Sequence, residues 1–345
     1  MPETPPGSDP TALSFTNVLA MLSGHAIVRS IAVVAELGIP DRLADGTKSA
    51  AELARLCDAR EDELFRVLRA LAAVGVFTQS SEPVRFGLTP LSHWLRSDVP
   101  HSLRDFARVR GGDLCWQAWT ELEHSVRTGA CAFEEAHGAK FFAYMQAHPH
   151  QALAFNAAMR SLSSQVHGAV MRAYDFSRLQ SITDVGGGSG AFIAALLGRN
   201  PQLRGILFDR RAAIEAGGEV LRAAGVDARC ERVAGDFFES APAGSDAILL
   251  SRVLHDFDDE ECVRILKNCH AALPAGGRLL IVEYVVTNTP DGAAGKLFDL
   301  HMLVYFGAAR ERTAEEFRSL LARAGFSMQR IVTTDVSIAV VEALA

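Results

Sequence analysis

His255 follows directly on the apolar run Asp246-Ala247-Ile248-Leu249-Leu250-Ser251 and the linker Arg252-Val253-Leu254. A run of that kind reads as a buried strand, so the histidine falls just beyond a strand end. An imidazole with an ordinary pKa of about 6.5 is the side chain best suited to accept a proton at neutral pH. A lone histidine is more often structural; the strand-end position favours a base. Glu283 ends another expected strand, and Glu311 lies in the loop after Gly307, ahead of a helix. Two acids reaching one edge could orient the ring, although each alone reads as a surface charge.

A second constellation is Ile182-Thr183-Asp184-Val185-Gly186-Gly187-Gly188-Ser189-Gly190. It reads as a strand, a tight turn and a helix start, with glycines that let a ligand approach bare backbone and free N–H groups suited to an anionic group. The spacing is G-x-G-x-G, not the G-x-G-x-x-G of a pyrophosphate loop, and no G-K-[ST] follows. The next apolar run, Gly205-Ile206-Leu207-Phe208, ends in Asp209, placed to accept two ribose hydroxyls. Later, Gly235-Asp236-Phe237-Phe238 offers an acid for an adenine amino group and a ring for the base face. An adenosine site without phosphate machinery fits S-adenosylmethionine. Asp258-Asp259-Glu260-Glu261 reads as a helix capping box with Asp258 at the N-cap, rather than as a metal site, and no metal is expected.

These residues need a scaffold that brings strand ends together. From residue 181 strands (181–185, 204–209, 228–234, 246–251, 277–286, 326–333, 336–342) alternate with helices (191–199, 212–224, 259–272, 313–324). That is a doubly wound α/β pattern, whose ligands lie beyond the carboxyl ends of the strands. Residues 105–180 read as helical, with Trp116, Trp119, Phe133, Phe141, Phe142, Tyr144, Phe155 and Met159. Such aromatic stripes are more often core than ligand cage, but the region is also a candidate substrate wall. Residues 11–104 give an apolar helical stretch over 12–37, two short helices and a hairpin around Ser80-Ser81-Glu82-Pro83, a winged-helix pattern. Residues 1–10 read as a disordered leader. The expected division is thus 1–10, 11–104 and 105–345, the last with a helical part (105–180) and an α/β core (181–345).

Composition narrows the function. The 345 residues carry 34 basic and 41 acidic side chains, a net charge of −7, which argues against nucleic acid as a partner. The would-be recognition helix opens on Glu61, Asp62 and Glu63, a poor match to phosphates. A dimerisation role suits its apolar helix better. No signal peptide is read, and Val18–Leu37, interrupted by His25, Arg29 and Glu36, is expected to be too polar to span a bilayer. The six cysteines lack a C-x-x-C pair and read as reduced thiols in a cytoplasmic chain without a membrane partner.

Several of these motifs, in order, resemble the plant caffeate/flavonoid O-methyltransferase family and its bacterial natural-product relatives. The matching residues are Phe155-Asn156, Met159, Asp184-Val185-Gly186-Gly187-Gly188-Ser189-Gly190, Gly235-Asp236-Phe237-Phe238-Glu239, Val253-Leu254-His255-Asp256-Phe257, Ile265-Leu266-Lys267-Asn268-Cys269 and Glu311-Arg312-Thr313. The resemblance implies a Rossmann-like methyltransferase domain behind a winged-helix-type dimerisation domain, working as a homodimer on a small hydroxylated aromatic substrate. It implies that His255 is the base and that Glu283 and Glu311 hold it. It also implies cofactor contacts from Gly186, Gly188, Asp209, Asp236, Phe237, Arg252 and, more weakly, Ser163, with Met159, Asn156 and Asp256 on the acceptor side. Two departures stand out: Ala308-Ala309 where relatives carry Gly-Gly, and Arg210-Arg211 where they carry Leu-Pro. The expected reaction is methyl transfer from S-adenosylmethionine to a hydroxyl. The alternatives are a relative that keeps the cofactor for hydroxylation, decarboxylation or cyclisation, and a winged-helix DNA-binding regulator.

Overall fold

Runs such as Ile248-Leu249-Leu250 and Leu279-Leu280-Ile281-Val282 are apolar on both faces, as strands covered by helices on both sides must be. Each is buried in the structure, a computed structural model that describes residues 10–345. All of the expected leader except Pro10 lies outside the described residues. The chain packs as two units, one of residues up to Gln117 with Met145–Leu162, the other of Ala118–Tyr144 with Ser163–Ala345. The helix Pro149–Ala173 runs from one into the other.

In the first unit the helices Gly24–Glu36, Ala50–Cys57 and Glu61–Ala73 close over Val34, Ile39, Leu53, Leu68, Phe77 and Phe86. The antiparallel strands β1 (Phe77–Gln79) and β2 (Phe86–Leu88) form the wing. Glu61, Asp62 and Glu63 fill the first turn of their helix, where the helix dipole favours acids. The apolar stretch 12–37 becomes two helices, Pro10–Leu22 and Gly24–Glu36. One expectation needs correcting here. By length and composition Ser14–Glu36 is apolar enough to cross a membrane, with a mean hydropathy of 1.8. The scattered polar residues do not lower the average enough to forbid it; they are used inside the unit instead. Arg29 donates to the Gly111 carbonyl and faces Asp113 at 3.5 Å, and Glu36 pairs with Arg108. Phe15, Val18, Leu19, Met21 and Leu22 remain exposed.

The second unit is built on a sheet. Strands β3 (Ser181–Val185), β4 (Arg204–Asp209), β5 (Cys230–Ala234), β6 (Ala247–Ser251) and β7 (Arg278–Val286) run parallel in the order β5-β4-β3-β6-β7. A two-residue strand β8 (Arg312–Thr313) pairs with the end of β7. Strand β10 (Ile338–Leu344) lies antiparallel between β7 and β9 (Ser327–Thr333). Helices Ala191–Arg199 and Arg211–Ala223 cover one face over Ile182, Leu207 and Leu249. Asp259–Ala272 and Ala314–Arg323 cover the other over Ile248, Leu250 and Ile281. Strand order reverses between β3 and β6, which opens a crevice at their carboxyl ends.

Candidate active site

The turn after β6 is built around a buried carboxylate. Strands β6 and β7 pair with Ser251 opposite Val282, so the chain leaving β6 passes beside Glu283. Arg252 donates its N–H to the Val282 carbonyl (3.0 Å) and takes a left-handed conformation, φ 58°. Val253 returns to the right-handed region. Such a change of hand aims successive N–H groups at one point. Glu283 Oε1 fills that point, accepting from Val253 (3.0 Å) and Leu254 (3.1 Å), with the His255 N–H at 3.4 Å. A non-glycine residue held left-handed costs about 1–3 kcal/mol and persists only where its surroundings over-determine it.

His255 sits in the short 3₁₀ turn Leu254–Asp256 and is buried. Its Nδ1 lies 2.9 Å from Glu311 Oε1. A carboxylate can only accept, so Nδ1 carries a proton, and in the neutral ring Nε2 is the nitrogen with the lone pair. Glu311 makes the direct hydrogen bond to the ring, whereas Glu283 Oε2, 3.9 Å from Nδ1, acts on it as an ion pair while its Oε1 takes the backbone of the turn. Arg252 Nη1 reaches Glu311 Oε1 (3.0 Å) and Glu283 Oε2 (3.3 Å). Its guanidinium lies over Phe298 (4.6 Å) and Tyr284 (5.0 Å). Expected among the cofactor contacts, Arg252 has its charged end committed to the two acids.

The charges act on one another. Burial and the Arg252 charge pull the His255 pKa down, but Glu283, Asp256 and Glu311 outweigh them and leave it above the ordinary value. Burial pushes Glu311 up, yet the Arg252 charge and the His255 hydrogen bond hold it below the usual carboxylate range. Asp256 Oδ1 stands 3.4 Å from His255 Nε2, and burial raises its pKa. His255, Glu283 and Glu311 each offer a ligand atom within 4.8 Å of the others, a spacing that would suit a cation. The Arg252 guanidinium holds both carboxylates instead. The acidic run beyond forms the expected capping box, with Asp258 accepting from the Glu261 N–H (2.9 Å) and Glu261 from the Asp258 N–H (3.2 Å).

The loop with Ala308-Ala309 does deliver Glu311. Pairing of Val285 with Arg312 fixes its end, the Arg310 N–H donates to the His255 carbonyl (3.0 Å), and the Glu311 N–H donates to Asp299 (2.7 Å). Arg312 is almost wholly buried and donates to the carbonyls of Leu254 (2.9 Å) and Phe257 (2.8 Å) and to Asp259 (2.9 Å). It clamps the turn that carries His255 through its carbonyls, where Glu283 holds the N–H groups. Phe298 places its ring 6.2 Å from the imidazole. Sequence reasoning assigned no role to Arg312, Asp299 or Phe298. The only local signal was the place of Arg312 in the Glu311-Arg312-Thr313 motif.

The glycine loop and its neighbours lie at the ends of β3, β4 and β5. Gly186 has φ 72°, and a Cβ there would stand 2.9 Å from Val253 Cγ2 and 3.6 Å from the Phe237 ring. Gly188 has φ 57° with nothing within 4 Å of where its Cβ would be, so its backbone faces open space. The Gly188 N–H donates to Asp209 Oδ2 (2.8 Å), and Asp209 Oδ1 accepts from Arg210 N (2.6 Å). Asp209 therefore ties the loop to β4 and has lone pairs left for a ligand. Asp236 accepts from the Phe238 N–H (2.8 Å), and Asn268 holds the Phe237 carbonyl (2.9 Å). Bare backbone, an acid and an aromatic face around one loop fit a nucleoside. Behind the loop, Asp184 is buried, and burial together with the Asp209 charge outweighs the Ile193 N–H and pushes its pKa up to about 7. On the helix Pro149–Ala173, Ser163 and Met159 are half-buried and Asn156 is exposed. Phe133, at the centre of rings from His137, Phe141, Tyr144 and Tyr305, is fully buried core.

A family model for O-methyltransferase domains matches residues 119–327, and one for O-methyltransferase dimerisation domains matches residues 19–98. A phenazine O-methyltransferase of Lysobacter antibioticus is 44% identical over 94% of this chain and 95% of that protein. The mitomycin biosynthesis 6-O-methyltransferase of Streptomyces lavendulae is 39% identical over 94% and 93%. An O-methyltransferase from neocarzinostatin biosynthesis, solved with S-adenosylmethionine and 2-hydroxy-5-methyl naphthoic acid, superposes with a TM-score of 0.75 at 33% identity, covering 92% of this chain and 95% of that one. This chain thus belongs to the S-adenosylmethionine-dependent O-methyltransferases of the plant-type family, among relatives from bacterial natural-product pathways.

Proposed function

We propose that the enzyme methylates a phenolic hydroxyl of a small aromatic or polyketide-type natural product, with His255 as general base. The observation that carries this reading is the hydrogen bond between His255 Nδ1 and the Glu311 carboxylate. It fixes the tautomer whose Nε2 can take a proton, at the carboxyl edge of the sheet. S-adenosylmethionine, when bound, supplies an electrophilic sulfonium methyl. Asp209 would accept its ribose hydroxyls, Gly186 and Gly188 would let it approach the backbone, and Asp236 and Phe237 would take the adenine; Ser163 is a weaker contact. The chain must then ionise the acceptor, because a phenol with a pKa of about 10 is mostly protonated at neutral pH. Nε2 of His255 takes the phenolic proton as the oxygen attacks, and Glu311 stabilises the imidazolium that results. Asp256, beside Nε2, would hold the acceptor. The exposed apolar residues Phe15–Leu22 would be covered by a second copy of the chain.

The test is an acceptor screen with methyl-labelled S-adenosylmethionine over phenols, hydroxylated polyketides, and matched amines and carboxylic acids. Label should appear as an aryl methyl ether. Transfer confined to nitrogen or carboxylate, with no phenol accepted, would overturn the reading.

A further inference from the structure

His255 is ringed by acids from three elements. Glu311 lies 2.9 Å and Glu283 3.9 Å from Nδ1, and Asp256 lies 3.4 Å from Nε2. Asp299 stands one step further out, on the Glu311 N–H, and Arg312 holds the Leu254 carbonyl. Out of water, carboxylates at these distances stabilise an imidazolium strongly. A base that keeps its proton at neutral pH cannot accept another. The cluster needs a permanent positive charge beside the ring that competes for the same carboxylates.

Arg252 supplies one. Its guanidinium cannot lose its proton, and one nitrogen bridges Glu283 and Glu311. Phe298 and Tyr284 pack on it, and the Arg252 N–H is pinned to Val282. The backbone there is left-handed, a conformation that glycine would adopt more readily. We propose that Arg252 sets the proton affinity of His255: by sharing both glutamates with the ring, it keeps Nε2 bare at working pH. It is a positioning residue that acts through its partners. The inference rests on His255 being the base, and deepens that reading.

The test compares Arg252→Met, which removes the charge at similar length, with Arg252→Lys, which keeps it. The His255 ring is titrated by nitrogen NMR in the full chain, a readout that needs no turnover, and the pH–rate profile is recorded with a phenolic acceptor. In Arg252→Met the His255 midpoint should rise by about one to three pH units, the range for a neighbouring charge. The acid limb of kcat should move with it, and Arg252→Lys should stay near the parent. If Arg252→Met does not fold, Arg252→Gln carries the same comparison. An unmoved His255 midpoint in a folded neutral variant overturns the proposal. So does that result combined with lost S-adenosylmethionine affinity by calorimetry, which would return Arg252 to the cofactor side. A midpoint that rises while the acid limb stays put supports the role of Arg252 and instead removes His255 as the base.

Discussion

Replacing His255 with alanine tests the catalytic reading most directly. The ring's buried partners define what is lost: the Nε2 lone pair that Glu311 secures through Nδ1. Without a base, the acceptor must ionise before it attacks. At pH 7.5 a phenol with a pKa of about 10 is only about 0.3% ionised, so turnover should fall roughly 300-fold, within the 10²–10⁴ usual for general-base catalysis. An acceptor whose pKa is about 7 is already mostly ionised, and its loss should shrink to a few-fold. The pH dependence has a sign. His255 keeps its proton to a higher pH than a free imidazole, because Glu283, Asp256 and Glu311 outweigh burial and Arg252. Its base form therefore fills only as pH rises through a midpoint above about 6.5. The parent's acid limb should lie there, and the variant's profile should follow acceptor ionisation instead. Single-turnover transfer from labelled S-adenosylmethionine over a series of phenols of graded pKa measures both effects. Near-parent turnover of His255→Ala on a phenol of pKa ~10 would refute the assignment and leave positioning alone to drive transfer.

Asp209→Ala removes a charged acceptor and should weaken S-adenosylmethionine binding by about 1.5–3 kcal/mol in calorimetry; unchanged affinity would contradict the ribose role. Asp184, with its folded pKa near 7 and an unfolded value of about 3.9, contributes stability that is full below pH ~4 and lost as pH rises towards 7. Cofactor-free Asp184→Asn should therefore lose less stability than the parent over that window in denaturant melts, and parallel curves would show that the carboxyl does not titrate there. Light scattering should find a dimer at micromolar concentration, shifted towards monomer by Leu22→Asp on the exposed apolar helix; a monomeric parent would count against self-association through that surface.

Much of this molecule was legible in local pattern. Both-faced apolar runs such as Leu279–Val282 can only be central strands, the glycines after Val185 allow only a tight turn, and Asp258 with Glu261 marks a helix start that the structure reproduces. The alternation of these elements gave the doubly wound sheet, and with it the place of His255 at a ligand-binding edge. The division of labour between Glu283 and Glu311 was not legible. It depends on β6 pairing with β7 in the register that sets Ser251 against Val282, and on β8 pairing with Val285, contacts between residues far apart in sequence. The left-handed turn at Arg252 has no glycine or asparagine to announce it; the pull of Glu283 on three successive N–H groups makes it. Arg252 was expected on the cofactor and Arg312 was given no role, since side-chain type does not reveal which buried acids or carbonyls will surround an arginine. Periodicity and spacing thus determined the strands, the helices and the edge at which chemistry occurs. Long-range pairing decided which acid orients the ring, which one builds the turn, and where the arginine's charge comes to rest.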